Sequence, residues 1–169
     1  DPEAEAHRLR LRGAPSRLAA DRLTWAAASW AGAGSVPGMS LDADLSSLLA
    51  GKNFAAFTTL MADGQPQTQI MWIGDDGEHL LINTEIHRQK FKNAQRDPRV
   101  TVTVFSAENA YQYVEARGTV VGTVGGDEAR SHIDVLAKKY MGVDDYPNPI
   151  QSERVILKIA IDKIHKNGY

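Results

Sequence analysis

The pattern of apolar and polar residues indicates a chain made mostly of β-strands. Short runs in which apolar residues alternate with Thr, Gln or charged residues recur from residue 55 onward, and turn-forming sequences separate them. Alternation with a period of two places the apolar side chains on one face of a strand. The first three runs are joined by the turns ADGQP and GDDG, which is typical of consecutive antiparallel hairpins. The predicted strands are residues 55–61, 67–73, 78–84, 100–105, 111–124 and 154–165.

Helical periodicity accompanies the strand pattern in three places. Residues 89–95 form a short candidate that stops before the RDPRV turn, and residues 127–140 form a longer one with acidic residues at its start and lysines at its end. A third helix near Leu45 is capped by Ser40 or Asp42. The predicted fold is therefore mainly β (α+β), a six-stranded antiparallel β-barrel with two to three peripheral helices.

Residues 1–38 differ in character from the rest of the chain. They are rich in Ala, Arg and Gly, lack strand-like alternation, and end in the linker AGAGSVPG. Three explanations stay open: sequence foreign to the native protein, a docking helix, or a targeting peptide. A secretory signal is disfavoured because no uninterrupted apolar core follows a basic start. We therefore predict a flexible or non-native leader over 1–38 and one domain over 39–169.

Composition excludes several classes of protein. The 169 residues, 43% of them hydrophobic, are enough for one domain, and the net charge of −2 disfavours a general nucleic-acid or membrane-surface binder. The absence of cysteine excludes disulfides and cysteine-ligated metals. No apolar run reaches the roughly 18 residues of a transmembrane helix. The five histidines do not fall at metal-ligand spacings, so we predict a cytoplasmic protein without a metal site.

The segment NTEIHRQKFKN, residues 83–93, is the clearest candidate binding site. It places Arg88, Lys90 and Lys92 at the start of a predicted helix, directly after the apolar run HLLI. Unpaired N–H groups and the helix dipole already favour an anion at such a place, so cations there are unfavourable unless an anion is bound. A phosphate would resolve this conflict. The alternative is a solvated helix face whose cations pair with Glu85 or Asp97.

The order of several weak motifs is more specific than any one of them. A strand–DGxP–strand hairpin, a strand ending in NT, an RQK segment, RDPRV and the strand YVEARGTV follow one another over about residues 45–165. In this order the chain resembles the split β-barrel flavin/deazaflavin oxidoreductases of the pyridoxamine-phosphate-oxidase-like class. Within that class it is most similar to the actinobacterial branch that uses the deazaflavin coenzyme F420.

The resemblance implies a homodimer with the cofactor in grooves at the subunit interface. It implies that Lys90, with Arg88 and Gln89, holds the cofactor phosphate, and that Asn83 and Thr84 line the same pocket. The second hairpin strand would run beside the tricyclic ring, and a glutamine near the start of the long strand would reach the cofactor. The residues concerned are Gln69, Ile70, Met71, Trp72 and Gln112. Each also has an ordinary explanation as a core, interface or cross-strand residue.

The implied activity is hydride transfer from reduced F420 to an electron-poor small molecule such as an enone, a quinone or a tetrapyrrole. The alternatives are a flavin mononucleotide (FMN) oxidase or reductase on the same fold and a non-catalytic cofactor-binding protein. A plain interaction domain with a solvated RQK face is a further one. The chain ends in IAIDKIHKNGY, without the Trp- and Arg-containing segment of genuine pyridoxamine-phosphate oxidases, so vitamin-B6 oxidation is disfavoured.

Overall fold

The computed structural model describes residues 40–169, and the predicted leader over 1–38 lies outside them. This part of the chain contains three helices and seven strands. The helices are α1 (Ala43–Ala50), α2 (Gln89–Arg96) and α3 (Gly126–Met141). The strands are β1 (Phe54–Leu60), β2 (Pro66–Met71), β3 (Gly74–Asp75), β4 (Leu80–Glu85), β5 (Arg99–Phe105), β6 (Tyr113–Val124) and β7 (Arg154–Asn167).

All seven strands belong to one curled antiparallel sheet. Their order is β2-β1-β5-β6-β7-β4-β3, so β4 is paired with β7, which lies far from it in sequence. β6 and β7 are the longest strands, and their pairing shifts register at Arg117/Gly118 and Val120/Gly122. A Cβ atom at Gly118 would lie 2.2 Å from the Ala160 carbonyl oxygen, so only glycine fits at this bend.

Burial follows the predicted alternation in most strands. In β1 and β5 every second residue is buried, as expected of a sheet with one covered face. β4 differs, because all six of its residues are buried. It lies beside β7 and contacts α3, which packs on both strands. Polar side chains on β4 are therefore held inside the protein, and this places them at the site described below.

The strand count corrects the sequence-based prediction. We expected six strands, and the seventh is the two-residue strand β3, where the GDDG sequence pairs with β4 as well as turning the chain. So short a strand carries no periodicity of its own. The three helices agree with the prediction, and Asp42 caps α1 by accepting hydrogen bonds from the amides of Asp44 and Leu45. Within residues 40–169 no helix is long and apolar enough to span a bilayer.

Candidate functional site

A cavity of about 240 Å³ opens where the ends of β2 and β4, the start of α2, the start of β7 and one face of α3 meet. Its lining combines cationic, polar and apolar side chains. The lining residues are Ile70, Met71, Trp72, Asn83, Thr84, Glu85, Arg88, Lys90, Ile133, Leu136, Tyr146, Asn148 and Arg154. The lining therefore joins apolar and aromatic side chains to three cations and one carboxylate.

Arg154 is the most buried cation of the site, with 8% of its surface exposed. Its Nε donates to Oδ1 of Asn83 at 2.8 Å, and its Nη1 lies 3.6 Å from Oε1 of Glu85. The guanidinium carbon also lies 5.2 Å from the ring centre of Tyr146, within the range of a cation–π contact. Three partners thus hold the guanidinium in one orientation at the cavity wall.

Glu85 is the carboxylate among these cations. Its Oε2 accepts hydrogen bonds from the amides of Gln151 and Ser152 at 2.7 and 2.8 Å. Burial opposes its ionisation, but these two hydrogen bonds and the charges of Arg154 and Arg88 lower its pKa below the ordinary value. Glu85 therefore stays charged near neutral pH and ties the segment before β7 to the end of β4.

Arg88 and Lys90 bring two further positive charges to the cavity. Arg88 is half-exposed, and its Nη2 lies 3.6 Å from Oε1 of Glu85. Lys90 is partly buried, and its ammonium has no hydrogen-bond or ion-pair partner among residues 40–169. Burial lowers the pKa of Lys90, and the charges of Arg88 and Arg154 lower it further. Three cations surround one carboxylate, which leaves the cavity with excess positive charge.

Two aromatic rings of the lining, those of Trp72 and Tyr146, pack against each other. Trp72 stacks on Tyr140 with ring centres 5.3 Å apart and an interplanar angle of 2°, and the ring of Tyr146 meets Trp72 edge-on at 5.9 Å. The Tyr140 hydroxyl donates to the carbonyl of Asn53 at 2.6 Å and accepts from the amide of Ile73 at 3.2 Å. These contacts fix the indole as a rigid planar surface beside the cations.

The structure brings most of the predicted site residues together. Seven of them line the cavity: Ile70, Met71, Trp72, Asn83, Thr84, Arg88 and Lys90. Three lie outside its lining. Gln89 donates from Nε2 to Oδ1 of Asn93 at 2.8 Å along α2. Gln69 pairs with Phe57 inside the sheet. Gln112 lies in the turn before β6, where its backbone N–H donates to the carbonyl of Asn109.

Four lining residues were not predicted from the sequence as part of the site: Glu85, Tyr146, Asn148 and Arg154. The available signal for Arg154 was a charged residue at the head of the apolar run VILKIAI. Such a residue is rarely buried unless it is paired. His132, on α3, is partly buried, and its Nδ1 lies 3.2 Å from Nδ2 of Asn83.

Comparisons with known proteins identify the family. The pyridoxamine 5′-phosphate oxidase family model matches residues 41–168, so the chain belongs to this family of the split β-barrel oxidoreductase class. This confirms the resemblance seen in the sequence. No curated protein matches the chain.

Similar solved structures include an F420 reductase, 31% identical with a TM-score of 0.64, in an alignment that covers 72% of this chain and 95% of that one. A conserved hypothetical protein from Mycobacterium tuberculosis is 20% identical with a TM-score of 0.60, covering 76% and 85%. The heme storage protein HutZ from Vibrio cholerae is 10% identical with a TM-score of 0.54, covering 78% and 97%. The last two likenesses concern the fold alone.

Proposed function

We propose that this protein is an F420-dependent reductase that acts on an electron-poor organic molecule. The observation that carries the proposal is the cavity itself, whose lining joins aromatic rings to three cations, those of Arg88, Lys90 and Arg154. A ligand suited to it has a flat ring system and more than one negative charge. F420 has both, since it combines a deazaflavin with a phosphate, a lactyl carboxylate and a glutamate tail.

The residues present fit such a cofactor. The ammonium of Lys90 and the guanidinium of Arg154 would hold its anionic groups, because charge-assisted hydrogen bonds are stronger than neutral ones. Met71 and Trp72 would lie against the ring and exclude water from one side. When bound, the cofactor supplies hydride chemistry, and the protein supplies position and electrostatics.

FMN is the second candidate, because it also joins a planar ring to a phosphate. The excess positive charge favours F420, which carries more anionic groups than the single FMN phosphate. The 31% identity to a solved F420 reductase supports the same choice. The third candidate is a non-catalytic protein, which would bind the cofactor equally well but would not transfer hydride to any acceptor molecule.

We also propose that two copies of the chain form the functional unit, with the cofactor groove at their boundary. Ile70 borders the cavity with 59% of its surface exposed, and Phe54, in the neighbouring strand, is 37% exposed. Exposed apolar side chains beside a binding site are favourable positions for a subunit contact. Sedimentation velocity should give the mass of a dimer, and a monomer that binds the cofactor fully would reject this part.

Cofactor choice is tested by fluorescence titration with oxidised F420 and, separately, with FMN. We expect F420 to bind more tightly, and Lys90→Ala to weaken it by about 1.5–3 kcal/mol, the range of a charged hydrogen bond. Lys92→Ala is the matched control, since Lys92 is exposed on the same helix and does not line the cavity. Tighter binding of FMN would identify FMN as the cofactor instead of F420. Equal losses of affinity in Lys90→Ala and Lys92→Ala would reject the cavity as the binding site.

Turnover separates an enzyme from a carrier. Reduced F420 mixed with the protein and a panel of enones and quinones should be oxidised faster than without protein. Binding without turnover on any acceptor would support the non-catalytic alternative.

A further inference from the structure

A chain of three polar side chains runs from α3 to the cavity. Asn83, 3% exposed, lies between Arg154 and His132. Its Oδ1 accepts from Nε of Arg154 at 2.8 Å, and its Nδ2 donates to the carbonyl of Ala129 at 2.7 Å. Because a guanidinium only donates and a carbonyl only accepts, these two partners define the orientation of the amide.

The amide in turn defines the tautomer of His132. Nδ2 of Asn83 lies 3.2 Å from Nδ1 of His132. Since an amide nitrogen only donates, Nδ1 is the acceptor, and the proton of a neutral ring is on Nε2. Burial lowers the pKa of His132 and the charge of Arg154 lowers it further, while Glu128 opposes the shift, so the net direction agrees with a neutral ring.

The Arg154 guanidinium is the member of this hydrogen-bonded series that reaches the cavity. Asn83 occupies its Nε, Glu85 lies beside Nη1, and Tyr146 covers its face. A side chain that is already fixed loses little conformational entropy when a ligand binds. By contrast, the polar atoms of Asn83 are engaged within the protein.

We propose that Asn83 and His132 are positioning residues, which hold the Arg154 guanidinium toward the cavity for an anionic group, and that Asn83 does not itself bind the ligand. This inference rests on one part of the proposed function, namely that the ligand of the cavity is an anion. It replaces the sequence-based role of Asn83 as a direct cofactor contact with an indirect one, through Arg154.

The primary test follows the Nε–H signal of Arg154 by ¹⁵N NMR in the full chain, with inorganic phosphate as the probe. In the native protein this hydrogen should exchange slowly, because it is buried and hydrogen-bonded. Asn83→Ala should abolish the protection and weaken phosphate binding by about tenfold. Unchanged protection and unchanged phosphate affinity in this variant would overturn the proposal.

Asn83→Asp gives a readout that a purely structural role would not move. A carboxylate can still accept from Arg154, but it has no hydrogen for Nδ1 of His132, so a hydrogen bond there needs a hydrogen on Nδ1, and the new negative charge favours the protonated ring, which has one on both nitrogens. We expect the pKa of His132, followed by NMR, to rise, and phosphate affinity to fall because the new charge neutralises the guanidinium. A His132 pKa that stays the same or falls would contradict the arrangement.

Two substitutions of His132 distinguish its role as a hydrogen-bond acceptor for Asn83 from the packing of its ring. His132→Gln supplies an acceptor oxygen and should keep the protected Arg154 signal, whereas His132→Leu should lose it. Equal behaviour of the two variants would reject the role of His132. A protein that binds phosphate with this dependence on Asn83, yet binds neither F420 nor FMN, would support positioning and reject the proposed function.

Discussion

Glu85 and Arg154 lie directly opposite each other on β4 and β7, with Oε1 of the carboxylate 3.6 Å from Nη1 of the guanidinium. Both are buried, at 3% and 8% exposure. Breaking a buried pair by removing one partner is costly, because the other charge is left without compensation. The pair therefore contributes to the fold while Arg154 also faces the cavity.

Glu85→Gln should make stability less sensitive to acid. The pKa of Glu85 is lowered in the folded protein from an ordinary value of 4.5, so its contribution is present above that pH and is lost as pH falls through the folded value. We expect the variant to be less stable than the native protein near pH 7, and the difference to shrink as the pH falls below 4.5 toward the lowered pKa of Glu85.

Urea denaturation at a series of pH values measures this difference. Glu108→Gln, in the exposed loop between β5 and β6, is the matched control and should leave the curve unchanged. A stability gap for Glu85→Gln that widens toward acid pH would contradict the assignment.

Cofactor affinity should fall at alkaline pH through Lys90. Burial, with Arg88 and Arg154, lowers the pKa of Lys90 below its ordinary 10.5, so the ammonium loses its proton at a lower pH than a free lysine does. Because the neutral amine no longer attracts an anion, affinity for oxidised F420 should decrease as pH rises through that pKa. Lys90→Arg should remove this decrease, since a guanidinium stays protonated.

Isothermal calorimetry measures the F420 affinity of the native protein and of Lys90→Arg at each pH. Ionisation of F420 itself changes the affinity of both proteins equally, so the difference between them reports on Lys90. The same alkaline decrease in both proteins would assign it to another group.

Tyr140→Phe should destabilise the protein without weakening the site. The change leaves the Asn53 carbonyl without its donor at 2.6 Å and keeps the ring stacked on Trp72. We expect a loss of about 1–3 kcal/mol in the free energy of unfolding, the usual cost of an unsatisfied buried group. Tyr111→Phe, at a side chain that is 80% exposed, is the control and should change stability by less than about 0.5 kcal/mol.

Chemical denaturation gives both values, and F420 titration of Tyr140→Phe should match the native protein. A large loss of affinity would show that the hydroxyl also shapes the cavity.

Tyr146→Leu should weaken cofactor binding more than Tyr146→Phe does. The ring of Tyr146 contacts the edge of Trp72 and lies over the Arg154 guanidinium, and phenylalanine preserves both contacts. Aromatic contacts of this kind contribute about 0.5–1.5 kcal/mol each, so the leucine variant should lose that amount or more. F420 titration compares the two variants, and equal losses would assign the effect to the hydroxyl.

Much of the fold was predictable because its signals are local. Alternation with period two marked β1, β5 and β7 within a few residues of their bounds, and acidic and basic ends marked α3. The two-residue strand β3 was not predictable, because it forms only by pairing with β4. The same distinction holds for the binding site.

The amino-acid sequence alone predicts cations directly after a buried strand, since Arg88 and Lys90 are two positions apart in the chain and lie at the start of one helix. Arg154 joins these cations only through contacts between distant segments of the folded chain. It reaches Glu85 through the antiparallel register of β4 and β7, which depends on packing between distant segments. Local periodicity carries no information about that register, so the third cation and its position beside Asn83 appear only in the folded chain.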